Sequence, residues 1–133
     1  MTRLSRLFSG RPESVRDARC FAWTYVAERV TGELAHSVEL VVSELCTNAV
    51  EHTASGRPGG WFLLELEMHP DHVRVSVMDN GALATVPASS DGVDLDAVSG
   101  RGLFIVEAVS KAWGAENVLA GRRVWADVVG EVA

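Results

Sequence analysis

Lysine is almost missing from this chain. Lys111 is the only one in 133 residues, and every other basic side chain is an arginine. A phosphate-binding loop that ends in Gly-Lys-[Ser/Thr] is therefore excluded, and any nucleotide must be held another way. Positive charge is scarce altogether: 12 Lys and Arg face 18 Asp and Glu, for a net charge of −6. That argues against direct nucleic-acid binding, which needs a basic face to neutralise phosphates. No apolar run approaches the ~18 residues of a membrane span, and MTRLSRLFSG lacks the long apolar centre of a signal peptide. A cytoplasmic protein without a membrane partner is expected. Cysteine is sparse too. Cys20 and Cys46 stand without metal-type spacing, and both read as core filler. There is no internal repeat, linker or low-complexity tract. At 47% hydrophobic residues the length suits one core, so a single domain over residues 1–133 is expected.

What the sequence does contain is periodic. PESVRDARCFAWTYVAERVTG spaces Val15, Ala18, Phe21, Ala22, Tyr25, Val26 and Val30 as an amphipathic helix, with Gly32 as its stop. A second helix is expected from about Glu33 through His52, ahead of the Ser55–Gly60 turn. WFLLELEMH and HVRVSVMD alternate, with Leu64, Leu66, Met68 and then Val73, Val75, Val77 on one side. They read as a hairpin turned at Pro70 and Asp71. Residues 80–99 are Gly-, Ser- and Asp-rich and read as a loop. GRGLFIVEAVSKAWG resumes helical spacing with Gly114 as its stop, and AENVLAG and RRVWADVVG read as two strands parted by Gly121. The economical architecture is α+β, a two-layer α/β sandwich with helices on one face of a mixed, mostly antiparallel sheet.

Three polar clusters sit at the edges of these elements. Glu44 and Asn48 are four residues apart on a helix and so share a face. Taken alone they fit either an exposed polar stripe or a working pair. An amide oxygen such as that of Asn48 is a hard ligand suited to Mg²⁺, and Glu44 one turn earlier could orient or deprotonate a nucleophile. Asp79-Asn80-Gly81 follows a strand. It fits a plain turn, or a carboxylate that accepts from an adenine amino group while Gly81 lets backbone approach the base. Gly100-Arg101-Gly102-Leu103 opens a helix, whose free amides attract phosphate. Arg101 is either a phosphate partner or a solvated charge.

In order and separation these clusters resemble the N, G1 and G2 boxes of the GHKL ATPase superfamily, the Bergerat fold shared by DNA gyrase, the ninety-kilodalton heat-shock chaperone and histidine kinases. The closer resemblance is to bacterial anti-sigma-factor serine kinases of the RsbW and SpoIIAB type, which also read S-E-x-x-T-N-A with a following His, here Ser43 to Ala49 and His52. It runs from the first helix to the terminal VWADV strand.

The resemblance implies ATP and Mg²⁺ as cofactors, Glu44 as the catalytic base and Asn48 as metal ligand. It implies Asp79, Gly81, Gly100, Arg101, Gly102 and Leu103 as further nucleotide contacts, with Asp79 reading adenine. It implies a serine/threonine kinase that phosphorylates a small anti-anti-sigma antagonist of the STAS type, holds a sigma factor and switches between the two. A homodimer is compatible with it. The alternatives are a non-catalytic module that sequesters a sigma factor or antagonist, and an ATP hydrolase that uses water as acceptor. The chain departs from the family pattern at Leu83 in place of a G1 glycine, at Phe104 in place of a G2 glycine, and at Val124 and Ala126 in place of a base-contacting Thr. These departures imply modest nucleotide affinity. The loop 82–99 has Asp91, Asp94 and Asp96 but no Lys or Arg, so it suits a partner better than a triphosphate.

Overall fold

The computed structural model describes residues 2–52, 57–80, 100–118 and 121–129, without the side chains of His52 and of residues 100–103. The elements run β1 (Thr2–Ser9), α1 (Pro12–Val26), α2 (Gly32–His52), β2 (Trp61–Met68), β3 (Val73–Asp79), α3 (Gly100–Val109), β4 (Ser110–Val118) and β5 (Gly121–Val128). The strands form one sheet in the order β1-β2-β3-β5-β4. All four pairings among the described strands are antiparallel, so the parallel contribution allowed for in a mixed sheet is not found.

Alternation decides which face of the sheet is covered. Phe62, Leu64 and Leu66 on β2, Val73, Val75 and Val77 on β3, and Val124, Ala126 and Val128 on β5 are buried. They join Val38, Val41, Val42, Leu45 and Ala49 of α2 and Ala18, Ala22 and Val26 of α1 in one core. Each fully buried Val, Leu or Phe contributes roughly 1.5–3 kcal/mol, so this layer contact holds the α+β sandwich together. Phe8 pins the edge strand onto it, stacked on Phe62 at 5.3 Å and edge-on to Phe21 at 6.0 Å.

The opposite face carries charge. Arg74 and Asp127 are directly paired across β3 and β5. Arg74 Nε and Nη2 donate to the two carboxylate oxygens at 2.7 and 3.0 Å, and the guanidinium lies 4.4 Å from the Trp125 ring centroid. These hydrogen bonds hold the Asp127 carboxyl below the usual carboxylate range.

Four expectations are corrected. Strand β1 was not anticipated from TRLSRLFS; it is an edge strand on which only Phe8 is buried, so its alternation carries little apolar signal. Gly32 does not stop α1. It is the first residue of α2, whose start is capped by Thr31 Oγ1 accepting from the Leu34 N–H at 3.2 Å. Helix α1 ends earlier, where Arg29 Nη1 donates to the Tyr25 carbonyl at 2.6 Å.

Nor does Gly114 stop α3. The helix ends at Val109, and residues 110–118 pair along β5. Cross-strand pairing overrides the helical spacing there, and Gly114 leaves room for the Trp125 indole, which a Cβ would approach to 3.0 Å. Finally, Cys46 is buried, which pushes its thiol pKa up, but Cys20 is exposed rather than core filler.

Candidate functional site

Helix α2 contributes the first part of the site. Its face through Ser37, Val41, Glu44 and Asn48 borders the core stripe of Val38, Leu45 and Ala49. Asn48 is 4% exposed and Glu44 is half-buried. An exposed polar stripe is therefore ruled out for Asn48. A carboxamide in an otherwise apolar layer is costly unless its hydrogen-bonding groups are used.

Strand β3 contributes the second part. Asp79 continues the Val73, Val75, Val77 alternation, so its carboxylate lies on the helix-covered face, 1% exposed. It is more than a turn residue. The turn is tied down by its neighbour, because Asn80 Oδ1 accepts from the Trp61 backbone N–H at 2.8 Å and so fixes the end of β3 to the start of β2.

The third part is the start of α3. Gly100 is its first residue, and α3 packs against α2, β4 and β5. Its first backbone amides have no intrahelical partner. Helix α2 also lies on β3 and β5, so the elements bearing Glu44, Asn48, Asp79 and Gly100 form one contiguous unit. Gly81 and the loop 82–99 lie outside the described residues, as do the side chains of Arg101, Leu103 and His52.

Sequence reasoning missed one residue. Arg122 is directly opposite Asp79 in the β3–β5 register. It is 8% exposed, the only buried Arg or Lys among the described residues. Its Nη2 is 3.7 Å from Asp79 Oδ2. The signal was present in the sequence: Val124, Ala126 and Val128 mark the buried face of β5, and Arg122 is the charge that precedes them on that face.

Gly121 sets this approach. A Cβ there would overlap the Asp79 carbonyl oxygen and come within 2.8 Å of its carbonyl carbon. The start of β5 is thus pressed against the end of β3, which holds Arg122 beside Asp79.

A cleft of about 690 Å³, lined by Leu7, Phe8, Arg11, Arg57, Pro58 and Trp61 among others, lies at the outer edge of the sheet and contains none of these residues. The donor set of the α2–β3–α3 unit fits a magnesium nucleotide: a hard amide oxygen, a buried acceptor carboxylate and a helix N-terminus. Among the described residues no helix is long and apolar enough to cross a membrane. No curated protein matches the chain significantly. The model of the histidine kinase-like ATPase domain matches residues 8–126, a span that takes in all three clusters. The chain therefore belongs to the histidine kinase-like ATPase domain family, an ATP-binding family of the GHKL type.

Proposed function

We propose that the chain binds Mg·ATP between α2, the end of β3 and the start of α3, and acts as an anti-sigma-type serine/threonine kinase on a small STAS-type antagonist. The observation that carries this reading is the burial of Asn48 on α2 and of Asp79 on β3, two elements that pack on each other. Asn48 would hold Mg²⁺ through its amide oxygen, and Asp79 would accept from the adenine amino group. The α3 amides, with Arg101 and Leu103 in the same turn and Gly102 leaving room, would take the phosphates. Mg²⁺ when bound supplies neutralising charge on those phosphates. Glu44 accepts the proton of the antagonist's hydroxyl as that oxygen bonds to the γ-phosphorus and the β–γ bridge breaks, leaving ADP. A phosphate on the antagonist changes its charge and shape, so it releases the kinase surface for a sigma factor.

One observation favours the second reading, a non-catalytic module that sequesters a sigma factor or antagonist. Phe104, where a family glycine is common, is an exposed apolar side chain on α3 suited to a protein contact. The experiment mixes parent and Glu44→Gln with radiolabelled ATP and a Ser-bearing antagonist, with ATP affinity measured in parallel. The kinase reading expects transfer by the parent and a fall of ~10²-fold or more in Glu44→Gln with binding kept. Equal transfer by both removes the base assignment. ATP binding without transfer to any antagonist supports the module.

A further inference from the structure

Two Arg–Asp pairs bridge β3 and β5 in directly opposed positions, and they are built differently. Arg74–Asp127, on the face away from the helices, is bidentate at 2.7 and 3.0 Å, and the guanidinium is stacked on Trp125. Arg122–Asp79, on the helix-covered face, is 3.7 Å apart, beyond hydrogen-bond length. Arg122 Nε is buried and has no hydrogen-bond partner among the described residues. One position holds a guanidinium with two hydrogen bonds to its partner carboxylate, and the other holds one whose Nε has no partner among the described residues. A buried donor on a charged group left unpaired is costly. A ligand can complete it, and Arg122 stands next to the carboxylate assigned to the nucleobase.

We propose that Arg122 is a second base-reading residue, whose guanidinium donates to the ring nitrogen flanking the amino group that Asp79 accepts from. This rests on the ATP-binding reading. On adenine the amino group is a donor, and N1 and N7 on either side of it are acceptors. A carboxylate and a guanidinium on adjacent strands present the complementary acceptor and donor.

The test changes the ligand as well as the protein. ATP, 1-deaza-ATP and 7-deaza-ATP are titrated against the parent and Arg122→Met by calorimetry. One analogue should bind the parent about tenfold or more weakly than ATP, because it leaves a charged donor unpaired. Arg122→Met should bind ATP more weakly by a similar factor and no longer distinguish that analogue from ATP. If Arg122→Met does not fold, the comparison of the three nucleotides on the parent stands regardless. Both analogues binding the parent within about twofold of ATP would overturn the inference, as would discrimination that persists undiminished in the variant; either leaves the ATP reading intact. A parent that binds no adenine nucleotide refutes the ATP reading and takes this inference with it.

Discussion

Asp79→Asn removes a charge that faces Arg122 and, in the proposed reading, the adenine, so it should change stability and affinity together. At 3.7 Å and an effective dielectric near 20, the gross attraction of two unit charges is about 4 kcal/mol. Desolvating both groups offsets much of this in the parent, so the pair's net worth is small. Removing one partner is different, because it leaves the other charge buried, at a typical cost of ~3–5 kcal/mol. The loose geometry and the 10% residual exposure of the Arg122 side chain put Asp79→Asn at the lower end, about 3 kcal/mol. Arg122→Met should cost about the same, since it takes the cation from beside Asp79, which is 1% exposed. The double variant strands neither charge and should cost no more than the worse single change. Urea unfolding of the four proteins gives the coupling directly, and about 3 kcal/mol is expected. In parallel, ATP binding to folded Asp79→Asn should weaken roughly five- to a hundredfold, because an amide can turn a donor toward the adenine amino group. A coupling within about 0.5 kcal/mol of zero would refute the electrostatic argument, and unchanged ATP affinity would remove Asp79 from the site.

Asn48→Ala should abolish the Mg²⁺ dependence of ATP binding while weak binding through adenine contacts remains; an unchanged Mg²⁺ response in calorimetry would remove Asn48 as a ligand. Gly121→Ala should destabilise the fold by about 1–3 kcal/mol or more in urea unfolding, since its Cβ overlaps backbone of Asp79 that only a shift of β5 can relieve. A stability equal to the parent's would show that the β3–β5 junction yields freely. The Asp127 carboxyl is lowered in the folded state, so its contribution is fully present above the ordinary aspartate value of about 3.9 and is lost as pH falls through the lower folded value. Acid unfolding of Asp127→Asn should lack this component, and a profile parallel to the parent's below pH ~4 would contradict it.

Strong periodicity made α2, β2 and β3 legible in the sequence, because each buries one regular face: Val38, Val41, Leu45 and Ala49 on the helix, and every second residue on the strands. Strand β1 was not legible, since an edge strand with one buried side chain has no apolar face to read. The stretch Ser110–Gly114 misled because its spacing fits a helix, while its partner on β5 lies far enough along the chain to be invisible to a local pattern. Glu44, Asn48, Asp79 and Gly100 were found at element edges, and their host elements do come together. Arg122 escaped because a charge at the start of an exposed-looking run, GRRVW, gains meaning only once the register sets it opposite Asp79.

That register also governs when the site can exist. Asp79 closes the β2–β3 hairpin and Arg122 opens the second strand of the β4–β5 hairpin, so each half can form from local contacts, whereas the two side chains meet only when β3 and β5 zip together. Hairpins form in microseconds, but pairing across a long intervening segment is slowed by loop-closure entropy. Nucleotide capture through the proposed Asp79–Arg122 couple would thus require this long-range step of sheet assembly. A chain still emerging from synthesis cannot bind through this couple until residue 122 has been made and paired, and an adenine nucleotide present during refolding would stabilise the joined sheet in preference to the separate hairpins.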